Sequence, residues 1–260
     1  MKKITLALLL FTCTLPFAIF ADNESGEGYA VSIDLNKVNE DMIEVKIKTP
    51  TISSSEVEYH MPKMVPGTYA IYDFGRFINN LKALDASGNE LKVTRINDNQ
   101  WKISEAEQLN ELVYTVEDTY DTDKDNVVFE PAGTNFEDGL NYTINPYSMI
   151  GYIDGYKDMA YEVSFTKPSN FYGSSAMSKI SKSDEQDIFM ADNYFRLADS
   201  PVMFSKSNVV NFEVGGADIE IAVYSPNDRL RAEDLKNDVF EIVSAQKDYL
   251  GGSLPIDKYA

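Results

Sequence analysis

The chain has 260 residues, 42 acidic against 23 basic, with one histidine, one cysteine and a formal net charge of −19. So acidic a surface repels nucleic acid phosphates and anionic lipid headgroups, which argues against both as partners. A lone imidazole argues against a zinc centre within the chain, since zinc takes three or four protein ligands, mostly His and Cys.

The sequence opens Met1-Lys2-Lys3, runs apolar from Ile4 to Phe20 and reaches a small residue at Ala21. That is the form of a secretory signal peptide over residues 1–21, with a mature start at Asp22. No basic stop-transfer cluster follows, so we expect no membrane anchor after cleavage. Cys13 leaves with the signal, and the mature chain then has no thiol for a disulfide or a thiolate metal site. Lys2 and Lys3 leave too, so 21 basic residues face 42 acidic ones, a mature charge of −21. The lysine-only leader predicts a bacterial protein that is periplasmic or secreted.

About 240 mature residues suffice for one large or two smaller domains. Period-two alternation predicts strands around Tyr29–Leu35, Ile43–Ile47 and Val57–Met61. A hairpin follows, with Leu81 and Leu84 before the turn Asp85-Ala86-Ser87-Gly88-Asn89 and Leu91, Val93 and Ile96 after it. Trp101–Ile103 and Leu112–Val116 read as further strands, as do Val127–Phe129, Tyr147–Ile153, Tyr161–Phe165 and Ile219–Val223. Gly173-Ser174-Ser175-Ala176 reads as a turn by composition. Many short strands with regular turn signals predict a mainly β chain built as a β-sandwich.

The pattern changes after Ser225-Pro226-Asn227-Asp228. From about Arg231 the period is helical, with Leu235, Val239, Ile242, Val243, Gln246 and Tyr249 on one stripe. Glu233 and Asp234 suit the first turn, and Gly251-Gly252 suits the end. The last eight residues read as a loop entering a new strand.

Several chemical motifs can be weighed. His60 stands alone in a strand-like run, no His-Glu-x-x-His occurs, and no Gly-x-Ser-x-Gly elbow accompanies it. Its expected role is structural, and no catalytic or metal residues are expected in the chain. Asp121-Thr122-Asp123-Lys124-Asp125 has a calcium-like rhythm, but Asn126 and Ala132 stand where an EF-hand loop needs Gly and Glu. A solvated acidic loop is the expectation there. Asn141-Tyr142-Thr143 fits a glycosylation acceptor, which carries no consequence in a bacterial protein.

Two stretches are more specific. One is Pro66-Gly67-Thr68-Tyr69-Ala70-Ile71-Tyr72-Asp73-Phe74-Gly75-Arg76, a tight turn followed by a polar cluster beside apolar residues. The other is Tyr194-Phe195-Arg196-Leu197-Ala198-Asp199-Ser200-Pro201, which closes on a sharp turn. With the hairpin and tryptophan strand between them, these resemble the N-terminal domain of the glycyl aminopeptidase family. That family comprises PDZ-containing zinc metallopeptidases of the thermolysin-like superfamily. Phe129–Asn135, Phe171–Ser175 and the closing Gly251-Gly252-Ser253-Leu254-Pro255-Ile256-Asp257-Lys258-Tyr259 are also similar. Where the family often has Trp before Pro-Gly and Arg before Asp-Phe, this chain has Val65 and Tyr72.

The resemblance implies a β-sandwich N-terminal domain over residues 22–222. Residues 223–260 would begin a thermolysin-like α/β catalytic domain that is cut off before its zinc motif. It implies a parent enzyme that removes N-terminal glycine or alanine, with zinc and the peptide substrate held by that missing domain. The sandwich would brace the catalytic domain and form a wall of the substrate cleft. Tyr69 and Arg76 are the candidate substrate contacts, because a phenol and a guanidinium fork at a turn can orient a peptide. The competing expectation is that both serve only to hold their loop. The rival function is a free-standing exported β-sandwich that binds peptide or glycan.

Overall fold

The computed structural model describes residues 28–260 except Thr68 and Asp121. The leader over 1–21, its Cys13 and the start of the calcium-like run at Asp121 therefore lie outside the described residues. No helix among the described residues is long and apolar enough to cross a membrane.

The first strands are β1 (Gly28–Asp34), β2 (Met42–Lys48) and β3 (Glu56–His60), then β4 (Ile78–Asp85), β5 (Glu90–Leu91), β6 (Val93–Asn97), β7 (Gln100–Ser104) and β8 (Leu109–Glu117). These match the strands expected from alternation. Next come β9 (Asn135–Glu137), β10 (Asn141–Ile144), a one-turn helix α1 (Pro146–Met149) and β11 (Tyr152–Ile153). They are followed by β12 (Ala160–Thr166), β13 (Phe171–Ser175), β14 (Ser178–Lys182), β15 (Gln186–Ala191), the short helix α2 (Tyr194–Ala198) and β16 (Val202–Lys206). The chain ends with β17 (Val209–Val214), β18 (Ala217–Ala222), the long helix α3 (Ala232–Tyr249) and β19 (Lys258–Tyr259).

An eight-stranded sheet runs in the order β14-β15-β12-β1-β2-β8-β4-β5. Its pairs are antiparallel except β1 with β12. Two four-stranded sheets, β13-β16-β10-β9 and β11-β3-β7-β6, pack on it. Phe204 of β16 meets Phe165 of β12 at 5.0 Å between ring centroids, and Tyr59 of β3 meets Tyr114 of β8 at 6.1 Å. The alternating residues of β1, β2, β8 and β12 (Val31, Val45, Leu112 and Val163 among them) are buried between these layers. The mainly β sandwich is thus as expected, since period-two patterning gives each strand one apolar face.

A small second core lies at the C-terminal end. There β17, β18 and β19 form a three-stranded sheet, and Val214, Ala217 and Ile219 pack with Val243 of α3. The expected boundary at 222/223 falls between β18 and α3, two elements of this one core. A buried polar network joins it to the sandwich: Glu220 of β18 accepts from Tyr172 (2.8 Å) and Ser174 (2.6 Å) and pairs with Lys258 (3.2 Å).

Four local expectations need correction. Val127–Phe129 is not a strand. Only Val128 turns inward, and Val127 and Phe129 are exposed on an irregular loop. Within Tyr147–Ile153 only the last two residues are extended, because Pro146 opens a helical turn that buries Tyr147 and Met149. Gly173-Ser174-Ser175 lies in strand β13, not a turn, because these residues pair antiparallel with Phe204, Met203 and Val202 of β16 and Ser174 is satisfied in the interior by Glu220. On α3 the buried stripe is narrower than expected: Ala232 and Val243 are buried and Leu235 and Val239 half-buried, whereas Ile242, Gln246 and Tyr249 face solvent.

Candidate functional site

One edge of the sandwich gathers both specific sequence stretches around a cleft of about 910 Å³. Its floor is built on β3 and β11. Tyr152 sits opposite His60 in the antiparallel register, and the two rings stack 5.4 Å apart at 7°. Lys157 follows β11 and lays its ammonium over the Tyr152 ring at 4.0 Å from the centroid. Tyr194 packs on Tyr152 at 4.8 Å, and Phe195 adds an exposed aromatic wall.

The segment carrying Tyr152 is irregular and buried, so its backbone polar groups need partners inside the protein. Tyrosine hydroxyls supply them. Tyr114 donates to the Met149 carbonyl (2.8 Å), Tyr194 to that of Ile150 (3.0 Å), and Tyr161 to that of Gly151 (3.2 Å). Tyr59 accepts from the Gly151 N–H at 2.7 Å and shares a 2.8 Å hydrogen bond with the Tyr114 hydroxyl. Tyr29 accepts from the Ile153 N–H at 3.0 Å. Burial raises the pKa of all five phenols, that of Tyr29 to about 12, so all of them stay protonated at neutral pH. Gly151 has no room for a side chain, since a Cβ there would lie 2.1 Å from the His60 carbonyl.

The Pro-Gly loop forms the opposite wall. Its base is pinned by backbone bonds from Phe74 to Pro62 (3.1 Å) and from Tyr72 and Asp73 to Lys63 (2.9 and 3.0 Å). Asn99 braces it from β7's approach, donating to Asp73 Oδ1 (2.7 Å) and accepting from the Gly75 N–H (3.0 Å). Its tip exposes Met64, Tyr69 and Ile71. Tyr69 is 96% exposed and has a left-handed backbone at φ +56°. Asp73 and Asn126 are left-handed as well. Such conformations are costly for residues other than glycine and concentrate at functional edges.

Arg76 spends its guanidinium locally. Its Nη1 donates to the Asp125 carbonyl and its Nη2 to that of Asn126 at 2.6 Å. The Asn126 side chain in turn donates to the Ile71 carbonyl at 2.9 Å. Arg76 therefore ties the acidic 122–126 loop to the Pro-Gly loop, and Tyr69 stands at the tip of the latter. The acidic loop also closes on Glu117, which accepts from Thr122 (2.8 Å) and pairs with Lys124.

His60 is half-buried. Gln100 approaches its Nδ1 at 3.2 Å, and Glu58 lies 3.4 Å from Nε2 without completing a hydrogen bond. Burial pushes the imidazole below its ordinary pKa, and the Glu58 and Asp154 carboxylates offset only part of that. Among the described residues no three His, Cys, Asp or Glu side chains gather where they could hold a metal ion.

Reading the sequence missed the contributions of Lys63, Tyr152, Lys157 and Phe195 to the cleft. Phe195 had a signal, since Asn193 caps α2 by accepting from the Arg196 N–H at 2.9 Å, and a capped turn within the second motif fixes which side chains face outward. Lys157 had none, because only the pairing of β11 with β3 brings it to His60.

The sequence model of the peptidase M61 N-terminal domain matches residues 30–206. No curated protein sequence matches the chain. Among solved structures, an aminopeptidase N family protein from Idiomarina loihiensis superposes with a TM-score of 0.76 at 21% identity, over 89% of this chain and 38% of that one. An M1 zinc metallopeptidase from Deinococcus radiodurans, bound to a Tyr-Ser-Ala substrate, gives 0.51 at 8% identity, over 90% of this chain and 55% of the other. At these identities the likeness is one of fold, and the chain spans less than two thirds of either structure.

Proposed function

Because the chain belongs to the peptidase M61 N-terminal domain family, we propose that it is the non-catalytic N-terminal part of an exported zinc metallo-aminopeptidase. In this reading it braces a thermolysin-like catalytic domain, followed by a PDZ domain, and forms one wall of the substrate cleft. The family match over most of the sandwich is the observation that carries the reading. Export rests on the leader at residues 1–21. The residues present do not fit a zinc ion: the lone imidazole stacks on Tyr152 and no donor cluster surrounds it among the described residues, so no chemical step is assigned to them.

Tyr69 and Arg76 take different parts in the wall. Tyr69 offers a phenol held out into solvent. Arg76 sets the shape of the wall through the 125–126 carbonyls, and any contact with peptide would be secondary to that clamp. The test is enzymatic. The 260-residue chain should release no glycine or alanine from the corresponding anilides, whereas the longest product of its gene should do so in a chelator-sensitive way. Chelator-sensitive release by the 260-residue chain would overturn the reading, as would its absence from the longer product.

A further inference from the structure

We propose that the cleft between the Pro-Gly loop and α2 binds a short apolar peptide by its C-terminal carboxylate, with Lys63 and Lys157 as the cationic contacts. This goes beyond the catalytic reading, because binding is a property of this chain alone and stands or falls independently of any peptidase activity.

The first support is charge. The protein is strongly acidic, at −19 overall, yet this cleft presents two lysines and one carboxylate, Asp199. Neither lysine has a carboxylate of the described residues within ion-pair distance. Asn99 already holds Asp73 and Gly75, Gln100 lies between Asn97 and His60, and the unpaired His60 Nε2 is buried out of a guest's reach. The charged groups left for a guest are thus two ammonium donors and one carboxylate acceptor.

The second support is that the fold fixes the backbone at both lysines. The Lys63 carbonyl accepts from both Tyr72 and Asp73, and the Lys157 carbonyl accepts from Tyr194 at 2.9 Å. Lys157 is held further by the ring of Tyr152 and, at 5.8 Å, that of Phe195. An ammonium held on ring faces without a counter-ion is ready for an anion.

The third support is shape and surface. A volume near 910 Å³ is that of a ligand cleft, far larger than one side chain needs. Its walls are Met64, Ile71, Tyr147, Tyr152, Tyr194 and Phe195. An apolar body with a carboxylate at one end and N–H donors for Asp199 meets all of these features. A short apolar peptide has them, whereas a fatty acid offers no donor to Asp199.

The test is calorimetric titration of the protein with acetyl-leucyl-phenylalanine, its C-terminal amide, and dodecanoate. The acid should bind in the millimolar range or tighter and the amide about tenfold more weakly, the scale of one charge-assisted contact. Lys157→Met and Lys63→Met should each weaken the acid severalfold and leave the amide unchanged, and Lys157→Arg should retain binding. Added salt should weaken the acid more than the amide in the unsubstituted protein, a comparison that does not depend on a variant folding. Equal affinity for acid and amide, no binding of the acid up to about 10 mM, or binding of dodecanoate in preference to the peptide would each overturn the proposal.

Discussion

Replacing Tyr59 with phenylalanine removes one hydroxyl from beneath the cleft and little volume. That hydroxyl accepts the Gly151 N–H at 2.7 Å and bonds the Tyr114 hydroxyl at 2.8 Å, in a fully buried position. The Tyr114 hydroxyl keeps the Met149 carbonyl, but the buried Gly151 N–H has no other partner among the described residues. A buried donor left unsatisfied costs about 1–3 kcal/mol. For a domain of this size that lowers Tm by roughly 3–10 °C. Chemical denaturation read by tryptophan fluorescence gives the free energy directly, with Tyr69→Phe as the exposed control at under about 0.5 kcal/mol. Adding Tyr114→Phe should cost less than the sum of the two single changes, because both act on one network. A loss below about 0.5 kcal/mol for Tyr59→Phe, or strict additivity with Tyr114→Phe, would refute the idea that these phenols hold the Tyr152 segment in place.

Gly151→Ala places a methyl 2.1 Å from the His60 carbonyl and should destabilise by about 3 kcal/mol or more, read in the same denaturation assay. Arg76→Ala unties the 125–126 carbonyls, so hydrogen exchange over residues 122–127 should accelerate while β1, β2 and β8 stay protected. The lowered pKa of His60 also has a consequence for stability. The folded state takes up this proton less readily than the unfolded state, whose value is near 6.5. Stability should therefore fall as pH drops from about 6.5 towards the folded-state value, and the fall should be smaller in His60→Gln. Melting temperatures measured between pH 5 and 7.5 check this, and an unchanged pH slope in His60→Gln would count against the buried, neutral imidazole.

The sandwich was legible because its central strands carry one apolar face each, as in Tyr29-Val31-Ile33 and Leu112-Tyr114-Val116. Strand β13 was not, because Gly173, Ser174 and Ser175 give it no apolar period and its partners on β16 lie about thirty positions later, whereas β17 does keep the period, with Val210, Phe212 and Val214 alternating with Asn211 and Glu213. The helical period of α3 was clear, but its exposed face was misjudged. A sheet of only three strands covers a narrow stripe, leaving Ile242 and Tyr249 outside. At the candidate site, Pro-Gly and Asp-Phe-x-Arg marked the right loop. That Arg76 holds its loop is one of the two expectations drawn from the sequence, but its partners were invisible there, since they are backbone carbonyls some fifty positions later.

The most direct test is the metal content of the purified 260-residue protein after dialysis against zinc and then against buffer. With no three His, Cys, Asp or Glu side chains gathered among the described residues, the protein should retain well under one equivalent. One tightly held zinc per chain would mean that the residues seen here do assemble a metal centre, and the non-catalytic reading would have to be abandoned.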